Sequence, residues 1–330
     1  MMYKFYILKG ELNDATSFYV NMIKESIERM GNPVTFVSKL RDIDRHDKVL
    51  TITSKAFFMV WLKNPNQYII NWWQGIAPEE ISLMFNNRLS KTPRIIIYRL
   101  FEKITLLFSK KNLFVSHAMK DHYRKKYNYN KTNYLIIPCF NQEIDPNAFV
   151  NEKYLTPTFV YAGSMSQWQC VDQMLMLYRL IKESIKNSQL IILTKETDIA
   201  TRKCEQYNVD ACIYSVPLSD LNNTLKQFKY GFIVRDDIAV NNVATPTKMN
   251  SYMASGVIPV YSDVIYDYQD VLSNSKYTVP FLCNKECVNK IIELESKTLI
   301  KEDILLEYKK IFAKYWSKEY YIKQIVQFLH

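Results

Sequence analysis

The chain has 330 residues, 48% of them apolar and 14% aromatic, enough to bury more than one core, so a largely disordered polypeptide is excluded and about two domains are expected. Six glycines and 11 prolines against 24 tyrosines and 17 phenylalanines argue against low-complexity linkers and β-rich repeat arrays. A formal net charge of +10 favours an acidic partner: a phosphate, an anionic lipid surface or nucleic acid.

From the amino terminus, 4–8 is a short apolar run, and Phe18, Met22, Ile23 and Ile27 then recur at helical spacing, with Asp14 as the expected cap and Gly31 as the terminator. Strands are expected at 34–38, 49–52 and 68–72, with a helix at 54–62 between the last two. Pro78-Glu79-Glu80 opens a helix with proline and acids in its first turn. A second helix follows from about Thr92 to Phe108, then a strand at 113–116, a helix at 117–127 and a strand at 134–137. The stretch 141–157 is polar and irregular, and the alternation restarts after it. Strands at 158–161, 190–193, 212–216, 231–234 and 257–261 then alternate with helices at 171–188, 199–208, 219–229 and 247–255. The tail from about Glu302 is aromatic-rich and helical. Such alternation means α/β architecture: two doubly wound, Rossmann-like domains whose ligands bind beyond the carboxyl ends of the strands. The expected division is 1–145, 157–300 and helices at 301–330 packing back towards the first domain.

The local sequence richest in chemistry is Ala244-Thr245-Pro246-Thr247-Lys248-Met249-Asn250-Ser251-Tyr252-Met253-Ala254-Ser255-Gly256. Pro246 pre-sets a first helical turn, Thr245 or Thr247 can cap it, and the free backbone N–H groups with Lys248 form an anion site suited to a diphosphate. The same residues also read as an ordinary capped crossover helix with a solvated lysine. Between Arg88 and Lys131 the basic residues are opposed only by Glu102 and Asp121. Within that stretch, 94–111 interleaves Ile95, Ile96, Ile97, Leu100, Phe101, Ile104, Leu107 and Phe108 with bases. Either it lies on an anionic membrane, or it is a core-facing helix with a solvated basic side. No run of about eighteen apolar residues occurs without a charge, so no spanning helix is expected. The six cysteines are scattered without a zinc spacing, and 1–10 reads as a strand and not a leader, so reduced thiols are expected in a cytoplasmic protein, either free or peripheral on the inner face of the cell membrane.

The stretch 244–260 resembles the donor-binding segment of GT-B glycosyltransferases, in particular the large retaining family that builds bacterial cell-surface polysaccharides such as capsule and lipopolysaccharide. Val160-Tyr161-Ala162-Gly163-Ser164, with Gln167-Trp168-Gln169, resembles the first strand and phosphate-side loop of that family's carboxyl-terminal domain. Asn71-Trp72-Trp73-Gln74-Gly75-Ile76-Ala77-Pro78 and Val115-Ser116-His117-Ala118-Met119 resemble segments of its amino-terminal domain. The resemblance implies a GT-B fold, two Rossmann-like domains facing a cleft, and a hexosyltransferase that moves a sugar from a nucleotide-sugar donor to a glycan or lipid-linked acceptor. It implies retention of configuration and neither cofactor nor metal; the Asp42/Asp44 spacing lies in an early loop expected to be exposed.

Residue by residue, the resemblance places Arg235 and Lys248 on the donor phosphates and Asp236 or Asp237 on sugar hydroxyls, with Arg235, Lys248 and Asp237 as the catalytic set. Donor binding falls to Gly163, Ser164, Lys195, Asp236, Thr245, Pro246, Thr247, Ser251 and Tyr252. On the acceptor side stand Gln74, Gly75 and His117. Arg235 to Asp237 also fit a surface turn, Lys195 a solvated loop lysine and His117 a packing or capping histidine. The family's two glutamates are replaced by Val243 and Ser251, and a serine reaches one ribose hydroxyl where a carboxylate binds two. Left open beside this reading are a basic nucleic-acid binder, for which no motif is present, a GT-B-type sugar epimerase, and a donor-binding but inactive homologue.

Overall fold

A computed structural model describes residues 2–12, 14–84 and 88–330, and the alternation becomes two parallel six-stranded sheets, one in each of two units. The side chains of Asp14, the expected cap, and of Arg88 lie outside the described ones. The first unit contains β1 (Tyr3–Tyr6), α1 (Asp14–Arg29), β2 (Val34–Val37), β3 (Lys48–Thr51), α2 (Ser54–Lys63), β4 (Tyr68–Trp73), α3 (Ala77–Met84), α4 (Arg88–Phe108), β5 (Lys111–Phe114), α5 (His117–Tyr127) and β6 (Tyr134–Ile136). Its sheet runs β2-β1-β3-β4-β5-β6. The second unit contains β7 (Thr158–Ala162), α6 (Val171–Ser184), β8 (Gln189–Leu193), α7 (Thr197–Tyr207), β9 (Cys212–Tyr214), α8 (Leu218–Leu225), β10 (Tyr230–Ile233), α9 (Ala239–Asn242), α10 (Thr247–Ala254), β11 (Ile258–Ser262), α11 (Tyr266–Leu272), β12 (Val279–Phe281), α12 (Asn284–Glu295) and α13 (Lys301–Tyr315), with sheet order β12-β11-β10-β7-β8-β9. The last helix is α14 (Lys318–Leu329).

The central strands are buried on both faces. Every residue of β10 and β11 is inaccessible, as helix-covered parallel strands require, which is why they read as continuous apolar runs and not as alternating ones. Helix α4 starts at Arg88, earlier than expected, so Pro93 lies inside it. Pro93 is the sixth residue of α4, so it has no N–H to donate to Leu89 O, and the helix runs on to Phe108 without that one bond.

The division of the chain differs from the expected one. The first unit runs up to Cys139 and takes back Asn242–Thr245, beginning with the last residue of α9, and Ser317–His330; the rest forms the second. Residues 140–157 join the second unit because Asn141 and Gln142 donate their backbone N–H groups to Asn250 Oδ1 at 3.0 and 2.9 Å, and Asp145 N–H reaches Ala254 O at 3.0 Å. The helical tail also splits. In α13, Tyr308 OH donates to Tyr277 O at 2.7 Å, which holds that helix in the second unit. Only α14 returns to the first, burying Ile322, Ile325 and Leu329 as it packs along α1. The exposed pairs Arg29–Glu319 and Lys318–Glu25, both 2.8 Å, add specificity but little stability beside that apolar burial.

One buried lysine has a measurable consequence. Lys153 Nζ donates to Ser255 O at 2.7 Å, closing the carboxyl end of α10, and burial pulls its ammonium down from 10.5 to about 7. The unfolded chain therefore binds more protons than the folded one between those values, so this residue makes folding more favourable as pH rises through that window. Lys153→Met is expected to flatten the rise in melting temperature between about pH 7 and pH 10; unchanged slopes would refute the assignment.

Candidate functional site

In a parallel sheet all carboxyl ends lie on one side, so the loops after β7, β8, β9 and β10 converge. The chain leaves β10 into Arg235, which is 7% exposed, donates its backbone N–H to Ser262 Oγ at 2.8 Å and turns Nη1 to Val234 O at 3.1 Å. Lys248, in the first turn of α10, donates Nζ to Gln169 Oε1 at 2.6 Å and sits 4.4 Å from the centre of the Tyr161 ring. That ring is held in turn by its hydroxyl, which donates to Ser164 O at 2.6 Å. Burial and then the neighbouring Arg235 hold Lys248 well below the ordinary lysine value, and burial likewise lowers Arg235. Among the described residues no carboxylate pairs with either. Two enclosed like charges without a counter-ion make a site that an anion stabilises.

Backbone geometry adds to it. Pro246 is the N-cap of α10 and no side chain caps the helix, so its first N–H groups face outward with the positive end of the helix dipole. Thr245, expected as a cap, is instead turned into the first unit, where its Oγ1 donates to Val115 O at 3.2 Å and accepts Cys139 N–H at 3.0 Å. Thr247 is the first helical residue and half-buried. A Cβ on Gly163 would lie 2.4 Å from Lys248 Nζ, so glycine is what lets the loop approach this cation.

Beside these cations opens a mostly apolar cavity of about 440 Å³, lined by Gly163, Ser164, Leu193, Lys195, Glu196 and Val216 among others. Glu196 accepts Met165 N–H at 2.7 Å and so fixes the loop after β7; Lys195 is exposed at the rim. Asp236 and Asp237 are exposed, and Asp236 accepts a hydrogen bond from Gln173 Nε2. Two expected donor residues are occupied elsewhere. Ser251 Oγ bonds Asn141 Oδ1 at 3.1 Å, so it joins Asn250 in fastening α10 to residues 141–142. Tyr252 is fully buried, its hydroxyl accepting Ala162 N–H at 3.0 Å and its ring filling the space left by Gly231. Val243 is buried, its carbonyl accepting from Ser116 Oγ at 2.5 Å.

The first unit carries its own cavity at the carboxyl ends of β3 and β4, about 380 Å³, lined by Asn71, Gln74, Gly75, Glu80, Tyr98 and Glu102 among others. Gln74 Nε2 donates to Ile52 O at 3.1 Å. Glu80 Oε1 occupies the place a Cβ of Gly75 would take, and burial raises its carboxyl above the usual range. Thr51 Oγ1 donates to Asn71 Oδ1 at 2.8 Å, and the Nδ2 of the fully buried Asn71 has no partner among the described residues. An unpaired donor and a reluctant carboxylate facing one polar cavity suit a hydroxyl, which accepts from one and donates to the other. His117 does not line this cavity. It is the exposed first residue of α5, whose cap is Ser116, with Oγ accepting Met119 N–H at 2.8 Å.

The resemblance includes Tyr161, Gln169 and Asn71 within its motifs without giving any of them a role, and neither Glu196 nor Glu80 is singled out as a candidate site residue. Glu80 carries the pattern of a first-turn helix acid, and Asn71 lies in a strand whose other residues are apolar or aromatic, so only the fold shows which way each side chain faces.

No family model matches the sequence, and no curated protein matches it by sequence. Solved structures do. The chain is similar to sucrose-phosphate synthase from Thermosynechococcus elongatus (TM-score 0.72, 11% identity, 99% of this chain and 98% of that one). It is also similar to Anabaena HepE in complex with UDP (TM-score 0.69, 11% identity, 100% and 99%). A third match is a Staphylococcus aureus TarM variant solved with fondaparinux, α-GlcNAc-glycerol and UDP (TM-score 0.63, 11% identity, 93% of this chain). This chain spans 58% of the length of TarM. At these identities the matches establish the fold: it is the GT-B fold of glycosyltransferases, as the sequence motifs led us to expect.

Proposed function

We propose that this protein is a nucleotide-sugar-dependent glycosyltransferase that carries its donor diphosphate on Arg235, Lys248 and the start of α10. The observation that carries the reading is the pair of enclosed, counter-ion-free cations at an uncapped helix start, beside an apolar cavity of nucleobase size. Glycosyl transfer asks for little else, because negative charge grows on the departing diphosphate, and fixed positive groups that exclude water stabilise it. Two cations and a helix dipole supply that stabilisation from the chain itself. Lys195 at the cavity rim can add to it, and Asp236 and Asp237 stand ready for sugar hydroxyls. The UDP of HepE and TarM supports a nucleotide donor here.

In the same reading the cavity around Gln74, Asn71 and Glu80 holds the acceptor, a glycan or lipid-linked sugar of a cell-surface polysaccharide, and transfer proceeds with retention at the cytoplasmic side of the membrane. Support for a membrane face comes from α4. Ile96 (61%), Leu100 (52%) and Leu107 (51%) are exposed along one side, with Ile97 (48%) and Phe108 (46%) next to them, whereas Glu102, Thr105 and Leu106 face the core. The side of the helix left open therefore carries Ile96, Leu100 and Leu107 together with the exposed Arg99 and Lys103, and this mixed apolar and basic face, unlike the core-facing alternative, matches an interfacial helix. Among the described residues no helix is long and apolar enough to cross a membrane.

A calorimetric screen of UDP, GDP, CMP and ADP tests the donor reading. One nucleotide is expected to bind and the rest to bind at least about tenfold more weakly, a difference of about 1.4 kcal/mol. If none binds while RNA or DNA binds in a salt-sensitive way, the transferase reading falls. In the presence of the selected donor, Glu80→Gln is expected to raise the acceptor KM more than it lowers kcat; an unchanged KM would remove Glu80 from the acceptor cavity.

A further inference from the structure

A second cavity of the first unit, about 680 Å³, lies at the other end of the sheet, where α2 and α4 both finish and β4 and β5 begin. Its lining includes Trp61, Leu107, Phe108, Ser109, Lys110 and Lys131 and, among the described residues, no carboxylate. Two buried groups on it have no hydrogen-bond partner among the described residues: Trp61 Nε1, and the hydroxyl of Ser109, a residue only 4% exposed. An unpaired buried donor costs free energy until something accepts from it. The Trp61 ring is fixed by stacking on Phe108, with centroids 4.9 Å apart, so its N–H cannot easily turn away. Lys131 Nζ donates to Leu107 O, and Asn133 Nδ2 to Ser109 O at 3.0 Å and Lys110 O at 3.1 Å, which shapes the wall around the cations. The carboxyl end of α4 contributes roughly half a negative charge there, and two ammonium groups more than offset it. Burial, and then Lys110, hold Lys131 below the ordinary lysine value, as expected where cations gather without an anion.

We propose that this cavity receives the phosphate of an anionic lipid headgroup, with Trp61 Nε1, Ser109 Oγ, Lys110 and Lys131 as its donors. The choice of a lipid over a soluble phosphate rests on the rim. Leu107 and Phe108 line the same cavity, are half-exposed and continue the apolar face of α4, so an occupant whose polar head joins a hydrocarbon chain matches both parts at once. The inference builds on the membrane-facing reading of α4 and is independent of the transfer reaction.

The test is sedimentation of the full chain with vesicles of phosphatidylcholine alone or mixed with phosphatidylglycerol, beside calorimetry with inorganic phosphate. The wild type should bind the mixed vesicles, and Lys110→Gln/Lys131→Gln should bind them about tenfold more weakly or worse. Trp61→Phe and Ser109→Ala keep the ring and the volume while removing one donor each, so each should weaken vesicle binding about threefold or more without moving the melting temperature downward. If both bind like the wild type while binding still falls with salt, the cavity is overturned and the apolar face stands. Absence of wild-type binding overturns both. Binding of inorganic phosphate without vesicle binding overturns the lipid assignment, as does a concentration-dependent dimer broken by the same substitutions.

Discussion

Lys248→Met is expected to make the unliganded protein more stable and to lower sugar transfer by about 10²–10³-fold. The two effects have opposite sign for one reason. Without donor, the Lys248 ammonium is enclosed beside Arg235 with no carboxylate partner, so deleting its charge removes a desolvation and repulsion cost. With donor, that charge meets the diphosphate, and its loss is felt most where the leaving group carries most charge. Melting curves with and without nucleotide separate the outcomes. At a ligand concentration a hundred times Kd the wild type should gain about 2.7 kcal/mol, and the variant little of it. A variant that loses stability without ligand, or that keeps the nucleotide shift, would show that Lys248 is structural. Lys195→Met is the natural control, since that lysine is exposed at the cavity rim and its loss should leave the unliganded protein unchanged.

The largest stability effect is expected at Lys126, in the first unit. Glu102, 1% exposed, accepts from Tyr123 OH at 3.0 Å, Tyr127 OH at 2.7 Å and Lys126 Nζ at 2.8 Å, and Lys126 also pairs with Glu79 at 2.8 Å. Lys126→Met leaves Glu102 buried beside a second carboxylate, so a loss of about 3–5 kcal/mol is expected, against 1 kcal/mol or less for an exposed pair such as Arg29–Glu319. The pH dependence carries a sign. Glu102 is already above the usual carboxyl range through burial, despite Lys126, and without that lysine it rises further, so the folded variant binds more protons than the unfolded chain. The variant should therefore recover stability as pH falls and Glu102 takes up its proton, and Glu102→Gln added to it should restore part of the loss at neutral pH. Glu79 behaves oppositely in the wild type. Burial opposes its charge, but His122 and Lys126 pull it down from 4.5 to about 2, so its contribution is present above 4.5 and is lost as pH falls through about 2. Urea unfolding at pH 7 and pH 5 distinguishes these cases, and a variant that is equally weakened at both would refute the role given to Glu102.

The proposed donor site was legible in the sequence to the extent that it rests on local chain geometry. Pro246 and Lys248 stand at a helix start, Gly163 follows a strand, and Arg235 ends one; each is a consequence of neighbours along the chain. The motifs therefore pointed to the GT-B fold, which the solved structures bear out, and to the helix start on which the proposed anion site rests. What the sequence could not decide was which polar side chains are already engaged. Thr245, Ser251 and Tyr252 have the right chemistry for a donor and lie in the right segment, but their hydrogen bonds run to Val115 and Cys139, to Asn141 and to Ala162. Each of those partners is set by strand order and helix packing, which residue spacing does not encode.

Periodicity likewise determined nearly all elements up to β11 and the α/β class, because parallel strands covered on both faces must be continuously apolar, and the helices that cover them must be amphipathic. It could not say which face of α4 is covered. An apolar stripe facing the core and one left open are the same pattern in one dimension, and only the packing of Glu102, Thr105 and Leu106 inward decided that Ile96, Leu100 and Leu107 remain outside. The unit boundaries were decided in the same way. The polar stretch 141–157 looks like a linker because it lacks periodicity, yet Asn250 binds it to the second unit, and the choice of α14 alone to return to the first rests on which apolar faces find partners in three dimensions.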